Sequence, residues 1–118
     1  MHSRYVILHH QAPSGEHWDL MLESGDALLT WQLKSKPVSN EALPIEAEKI
    51  ADHRKAYLEY EGPISGHRGH VTRVDRGELT ILESGATEVR FELSGKNLTG
   101  VFRLRRDGAR WIFERAAD

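Results

Sequence analysis

The stretch EVRFELSGKNLTGVFRLRRDGARWIFE, residues 88–114, decides the fold class. Three runs within it, residues 88–93, 99–104 and 110–114, are rich in β-branched, aromatic and leucine side chains and predict short strands. The sequence SGKN separates the first two runs, DG lies between the last two, and both are turn-forming. The stretch therefore predicts three consecutive strands joined by turns.

Short apolar runs separated by turns also cover most of the remaining chain. Six more strands are predicted, at residues 4–10, 17–23, 27–33, 56–61, 71–75 and 78–83. Residues 34–54 include two prolines and are expected to form a long excursion, with at most a short helix at residues 45–50. About nine short strands predict an all-β, mainly antiparallel fold, either a barrel or a sandwich.

Composition limits the chemistry available to the chain. Its 118 residues, 39% of them hydrophobic, suffice for a single domain spanning residues 1–118. Cysteine is absent, so any metal must bind through histidine and carboxylate side chains. The opening ten residues contain an apolar run of only four, too short for a signal peptide or a membrane span. We therefore expect a soluble, cytoplasmic protein.

The charge pattern leaves nucleic-acid binding open. A net charge of −2 argues against a uniformly basic surface. Five of the sixteen lysines and arginines nevertheless fall between residues 103 and 115. This basic strip is either the solvated face of a terminal hairpin or a contact for a DNA backbone.

Three of the seven histidines are crowded into HHQAPSGEHWD, residues 9–19. Because side chains alternate along a strand, His17 and Asp19 share one face, and His10 ends the preceding strand while His9 points the opposite way. Two imidazoles and one carboxylate suit Mn²⁺, Fe²⁺ or Zn²⁺. The alternative is a group of exposed loop histidines, although Asp19 needs a partner in so apolar a strand.

Several motifs follow one another in an order typical of a known family. They are YVILHH (5–10), HWDLMLE (17–23), LTW (29–31), DHRKAY (52–57), YEGPI (60–64) and VDRG (74–77). This order resembles the 3′-phosphoesterase domain of bacterial DNA ligase D, over nearly the whole chain. The resemblance implies a compact β-barrel of about eight or nine strands with its active site in a cavity. It also implies manganese-dependent trimming of DNA 3′ ends, by removal of a terminal ribonucleoside and then of the 3′-phosphate.

The resemblance assigns roles to individual residues. The implied ligands of a divalent metal, first of all Mn²⁺ and otherwise Zn²⁺ or Fe²⁺, are His10, His17 and Asp19. The resemblance implies that His53 and Tyr57 surround the scissile phosphate, and Arg76 is the third candidate for this catalytic group. Arg54 and Arg68, which could reach in from other strands, and Lys34, an approximate counterpart of a family lysine, are the candidates for substrate binding. Without the resemblance, His53 would be interpreted as a loop histidine and Tyr57 as a core aromatic.

The chain departs from the family pattern in two places. The family's metal strand reads H-Y-D-F-R, whereas Met21 replaces the arginine, so a phosphate clamp is missing unless Arg54, Arg68, Arg73 or Arg76 reaches in from elsewhere. The loop between the first two ligands is one residue longer than in the family, which leaves His9 as an alternative to His10.

The segment EGPISGHRGH, residues 61–70, has two interpretations. Its glycines form either a backbone nest for phosphate oxygens or a tight turn that leads into the next strand. His67 and His70 are candidates for additional metal ligands, although they are less favoured than the first three histidine and aspartate positions.

Three functions remain open at this point. The first is a metal-dependent phosphoesterase acting on nucleic-acid 3′ ends, and the second is a non-catalytic relative that binds DNA ends or a repair partner. The third is a non-haem iron oxygenase, because H-x-D followed by a distant histidine is also typical of those enzymes. For the first function we expect a monomer that acts beside a separate DNA ligase or end-binding repair protein, away from any membrane.

Overall fold

The computed structural model describes residues 3–116, and nearly all of its regular structure is β-strand. The nine strands of this part of the chain are β1 (Ser3–Ala12), β2 (Gly15–Ser24), β3 (Ala27–Leu33), β4 (Ile45–Arg54), β5 (Gly62–Pro63), β6 (His70–Ser84), β7 (Glu88–Gly95), β8 (Thr99–Asp107) and β9 (Arg110–Arg115). Two short 3₁₀ turns, Asn40–Ala42 and Lys55–Leu58, interrupt them. None of the helical segments within residues 3–116 has the length and apolar character needed to cross a membrane.

Eight of these strands form a closed antiparallel barrel. Their order is β1-β2-β3-β4-β9-β8-β7-β6, and antiparallel pairing of β1 with β6 closes it. The two-residue strand β5 pairs with β6 on the edge opposite β1. The all-β barrel expected from the sequence is therefore confirmed.

The barrel interior is filled by alternate residues of all eight strands. In β7, β8 and β9 the inward positions hold Phe91, Phe102 and Phe113, whose ring centroids lie 5.7 to 6.3 Å apart. Within each of these strands, the side chains that alternate with the inward ones point outward, as the period of two in residues 88–114 requires. Aromatic burial on this scale dominates the energetics of a small core.

A second apolar cluster lies on the outer face of β1, β2, β3 and β6. Its buried members are Val6, Leu8, Met21, Leu28, Leu58 and Val71. Val6 and Leu8 alternate with residues of the barrel interior, so they face away from it. Residues 55–69, which connect β4 to β6 and which we call the covering segment, supply Leu58 together with the flanking Tyr57 and Ile64. The covering segment therefore shields this face of the sheet from solvent.

Two of the expected local structures are wrong around the covering segment. The long excursion expected at residues 34–54 is shorter than predicted, because residues 45–54 form β4. Ile45 and Ala47 alternate with exposed glutamates and enter the barrel interior. Residues 56–61 form no strand, and a 3₁₀ turn begins there instead. A strand would direct the adjacent Tyr57 and Leu58 to opposite faces, whereas the turn packs both against the same sheet.

The turn expected at residues 75–77 is also wrong, because β6 runs without a break through it. Gly77 lies so close to β7 that a Cβ atom there would be 2.1 Å from the carbonyl oxygen of Ser94. Close strand approach, rather than turn geometry, therefore requires this glycine.

Asp75, two residues before that glycine, is buried inside the barrel. Its Oδ2 accepts a hydrogen bond of 2.7 Å from the hydroxyl of Tyr5, and its Oδ1 accepts the backbone N–H groups of Lys96 and Asn97 at 3.1 and 3.2 Å. Burial and the adjacent carboxylate raise the pKa of the Tyr5 hydroxyl far above its usual value. Asp75 thus belongs to an interior hydrogen-bond network that ties β6 to the β7–β8 turn.

Candidate metal centre and its surroundings

The hairpin of β1 and β2 brings the three predicted ligands together on the outer face of the barrel. His10 lies directly opposite His17, and Leu8 lies opposite Asp19. His10 Nδ1 is 3.1 Å from His17 Nε2, and that nitrogen is 3.2 Å from Asp19 Oδ1. His10 Nδ1 and Asp19 Oδ2 are 3.8 Å apart. One ligand atom from each residue thus lies within 4.8 Å of the other two.

The donor atoms of this group fit a divalent cation. Asp19 is 3% exposed, and its Oδ1 is buried without a hydrogen-bond partner despite the nearby imidazole. A buried carboxylate oxygen left without a partner is costly. Two imidazole nitrogens that face each other across 3.1 Å, together with this oxygen, suit Mn²⁺, Fe²⁺ or Zn²⁺.

A backbone carbonyl of the covering segment orients His10. The other ring nitrogen, Nε2, is 2.9 Å from the carbonyl oxygen of Arg68. Because a carbonyl only accepts, Nε2 carries the proton in the neutral ring, and the Nδ1 lone pair points toward His17 and Asp19. Such outer partners fix the tautomer and orientation of metal-binding histidines. The guanidinium of Arg68, which was predicted to bind substrate, is turned back onto Ser65.

Gly69 explains how that carbonyl comes to lie beside His10. Its φ of +91° favours glycine, and a Cβ atom there would lie 1.9 Å from the carbonyl oxygen of Gln11. The amide of Ile64 donates to the carbonyl oxygen of Gly69 at 2.7 Å and holds the loop in place. The glycine pattern of residues 61–70 therefore includes a close approach of the covering segment to the end of β1.

Replacing Gly69 with alanine should weaken metal binding by about 10- to 100-fold, the usual cost of losing an outer partner of a ligand. The added Cβ would push Arg68 and its carbonyl away from His10. Titration of the metal-free protein with Mn²⁺ by calorimetry measures this change. Gly66→Ala is the matched control, because Gly66 has a similar φ of +75° but only an arginine side chain within 4 Å. Equal losses in both variants would show that backbone strain, and not the carbonyl, is responsible.

His9 lies apart from this group. Its ring stacks on Trp18 with centroids 4.9 Å apart and planes 8° apart, and its Nε2 is 2.7 Å from Glu16. Within residues 3–116, the cluster of potential ligands includes His10 and not His9. The exposed His67 and His70 do not join that cluster either.

His53 and Tyr57 form a second group on the same outer face. His53 lies opposite Leu28 on β3, and its ring packs edge-on against Tyr57 at 5.4 Å. The Nδ1 of His53 donates to the carbonyl oxygen of Ala51 at 3.1 Å, which leaves Nε2 as an acceptor. No hydrogen bond or ring contact in the described part of the chain joins this pair to Asp19.

The predicted cations are spread around the two groups. Arg54 and Arg76 are exposed, and neither forms an ion pair with another described residue. Lys34 lies 3.7 Å from Glu48. Arg73 is the arginine in register with the ligands, because Leu8 pairs with it on one side and with Asp19 on the other. Its guanidinium is 3.7 Å from Glu61.

Met21 follows Asp19 on the same face of β2 but is only 1% exposed. It packs within the second apolar cluster, beneath Leu58 and Tyr57. The position where the family pattern has an arginine is therefore an apolar, covered site. The side chain at this position supplies no cation.

Three of the five arginines in the basic strip near the C-terminal end of the chain form ion pairs with described residues. Arg103 and Arg105 both lie 2.6 Å from Glu114, and Arg110 lies 3.2 Å from Glu46. Hydrogen bonds from the two arginines lower the pKa of Glu114 although partial burial opposes this. These ion pairs favour the first of the two interpretations, a solvated face.

Comparison with known proteins identifies the family. A family model described as the DNA ligase D 3′-phosphoesterase domain matches residues 8–106. The chain belongs to this 3′-phosphoesterase domain family. It is also 31% identical, over 128 aligned residues, to the Multifunctional non-homologous end joining protein LigD of Pseudomonas aeruginosa. That alignment covers 98% of this chain but only 15% of the relative, so the chain corresponds to a small part of that protein.

Proposed function

We propose that the protein is a metal-dependent phosphoesterase that trims nucleic-acid 3′ ends in DNA repair, by removal of a 3′-ribonucleoside or a 3′-phosphate. Membership in the 3′-phosphoesterase domain family supports the reaction class. The observation that carries the proposal is the convergence of His10, His17 and Asp19, with a buried carboxylate oxygen that lacks a partner. Mn²⁺ is the proposed metal, with Zn²⁺ and Fe²⁺ as alternatives.

His10, His17 and Asp19 would hold the cation, with His10 kept in place by the Arg68 carbonyl. When bound, a divalent cation supplies polarisation of a phosphoryl oxygen and a bound water that loses its proton more easily. The covered strand behind the three residues excludes water from one side of the site. The ligand set therefore lies between the second apolar cluster and solvent, and the end of a nucleic-acid strand can reach it from the solvent side.

His53 and Tyr57 are proposed to lie beside the scissile phosphate. The free Nε2 of His53 can hold or deliver a proton at a phosphoester oxygen, and the Tyr57 hydroxyl can donate a hydrogen bond to another. Arg76 is kept in the proposed catalytic group as an unpaired cation on the same face, and Arg73 lies in register with Asp19. These cations would offset the charge of the phosphate.

The decisive test offers the metal-free protein a primer-template that ends in a 3′-ribonucleotide or a 3′-phosphate, with Mn²⁺, Zn²⁺ or Fe²⁺ added in turn. We expect a 3′-hydroxyl product with Mn²⁺, and a separate DNA ligase should then seal that end. Metal binding without any end processing would overturn the proposal.

A non-catalytic DNA-end-binding role is the second candidate, and the covered Met21 is the observation that favours it. In that case the same experiment would give binding of DNA ends without product. The oxygenase alternative gains no support from the geometry, since the second histidine near the H-x-D pair is His10 and not the distant His53.

A further inference from the structure

An open cavity of about 240 Å³ lies between the end of β4 and the covering segment. Its walls include Arg54, Tyr57, Tyr60, Pro63 and Ile64. This volume is below the range of about 300–1,000 Å³ typical of pockets for drug-sized ligands. The cavity therefore suits one planar group rather than a larger molecule, and we call it the tyrosine cleft.

Tyr60 is a rigid and exposed wall of the tyrosine cleft. Its hydroxyl donates a hydrogen bond to the carbonyl oxygen of Pro63, and its ring packs edge-on against Tyr57 with centroids 5.8 Å apart. Gly62 leaves room for this hydroxyl, since a Cβ atom there would lie 3.2 Å from it. The side chain is nevertheless 36% exposed. A tyrosine whose polar atom is already bonded and whose ring is exposed is ready to stack on a ligand at little cost in entropy.

Arg54 supplies an available positive charge at the same cleft. It is exposed and has no hydrogen bond or ion pair with another described residue. Two other exposed arginines are paired, Arg4 with Glu59 and Arg110 with Glu46. An unpaired arginine beside an exposed aromatic ring is the combination that binds single-stranded nucleic acid, where bases stack and phosphates meet cations.

The cleft is continuous with the residues proposed to surround the scissile phosphate. Tyr57 touches Tyr60 on one side and the ring of His53, at 5.4 Å, on the other. A strand whose terminal phosphate lies at His53 would thus place a neighbouring base near Tyr60. The planes of the two tyrosine rings are 82° apart, so the base would meet the face of one ring and the edge of the other.

We propose that the tyrosine cleft binds a nucleobase of a single-stranded 3′ end by stacking on Tyr60, while Arg54 contacts the adjacent backbone phosphate. The proposal rests on the function proposed above and adds the form of its substrate. Because a paired base is not free to stack in the cleft, the enzyme prefers a 3′ end that is frayed or unpaired. Stacking is tolerant of sequence, so any base satisfies the cleft.

The test measures binding without turnover. Fluorescence anisotropy is recorded for a short 5′-labelled single-stranded DNA that ends in a 3′-phosphate, with EDTA present. A second oligonucleotide has the same length and phosphates but lacks its last two bases. We expect the wild-type protein to bind the complete oligonucleotide about tenfold or more tightly than the abasic one. Equal affinity for both would overturn the proposal.

Two variants assign this preference to the cleft. Tyr60→Leu should remove the difference between the two oligonucleotides, and thermal unfolding of the variant checks that it is folded. Arg54→Gln, at an exposed site with no partner to lose, should lower the slope of log affinity against log salt by about 0.7, the value for one contact to a single-strand phosphate. Arg106→Gln is the control, because Arg106 is also exposed but lies on the basic strip away from the cleft, and the affinity of this variant should match the wild type.

Wild-type affinity in both Tyr60→Leu and Arg54→Gln would exclude the cleft as the binding site. The outcome is independent of the proposed reaction, because nothing is cleaved in EDTA. Base-dependent binding in a protein that processes no 3′ end would contradict the proposed function and leave the cleft assignment standing. End processing without any base-dependent binding would support the proposed function and contradict the cleft assignment.

Discussion

Replacing Asp19 with asparagine should lower the affinity for Mn²⁺ by at least about 100-fold, because even an outer partner of a ligand is worth about 10- to 100-fold. Asparagine keeps the shape of the side chain but removes its charge. Asp19 is 3% exposed, and its Oδ1 makes no hydrogen bond beyond the 3.2 Å approach of His17 Nε2, so the metal-free protein should lose little stability. Loss of metal affinity combined with little loss of stability is a signature that a merely structural aspartate would not give.

Calorimetric titration with Mn²⁺ measures the affinity of Asp19→Asn, and thermal unfolding with and without the metal measures the stability. In the wild type, a metal concentration of 100 times Kd should stabilise the fold by about 2.7 kcal/mol, and this increment should vanish in the variant. Glu16→Gln is the matched control, since Glu16 lies on the same hairpin but contacts His9. Unchanged affinity in Asp19→Asn would show that the metal binds elsewhere.

Strands that line the barrel are the part of the fold that the sequence predicts best. In β7, β8 and β9 the apolar residues recur with a period of two, and short polar turns separate the runs. One face of each strand is buried and the other is solvated, so the alternation of apolar and polar residues can be identified from the sequence of each strand alone. The same logic predicted that His17 and Asp19 share a face, which the observed register shows.

Segments that depend on long-range contacts are the part that escapes prediction. Asp75 and Gly77 have the chemistry of a turn, but the first bonds to Tyr5 and the second allows close approach of Ser94. Tyr57 and Leu58 have side chains that favour a strand. Both pack against the same sheet, however, and adjacent residues of a strand could not do so. Local preference is overridden in each case by a partner distant in sequence.

The candidate site divides in the same way. His10, His17 and Asp19 are predictable because strand alternation and one hairpin suffice to bring them together. The carbonyl of Arg68 is not predictable, because every residue has a carbonyl and the side chain of Arg68 points elsewhere. Its only signal is Gly69, and a glycine that allows close approach looks the same in sequence as a glycine in a turn.

Restoring the family arginine at position 21 should destabilise the protein rather than activate it. Met21 is 1% exposed and packs with Val6, Leu58 and Tyr57. A guanidinium there would be a buried charge without a partner, a situation that costs about 3–5 kcal/mol. We therefore expect Met21→Arg to lower the free energy of unfolding by that amount, measured by urea denaturation, and to show no faster cleavage of 3′-phosphate ends.

Met21→Leu is the control that separates charge from shape. Leucine has a similar volume, and swaps of this kind usually cost less than about 1.5 kcal/mol. A Met21→Arg variant as stable as the wild type, with faster cleavage, would contradict the expected result, because the arginine would then have displaced Leu58 and reached the substrate. The expected loss of stability has a different consequence. Methionine at this position packs under the covering segment, so we expect the cation for the scissile phosphate to come from another strand, with Arg73 on β6 in register with Asp19.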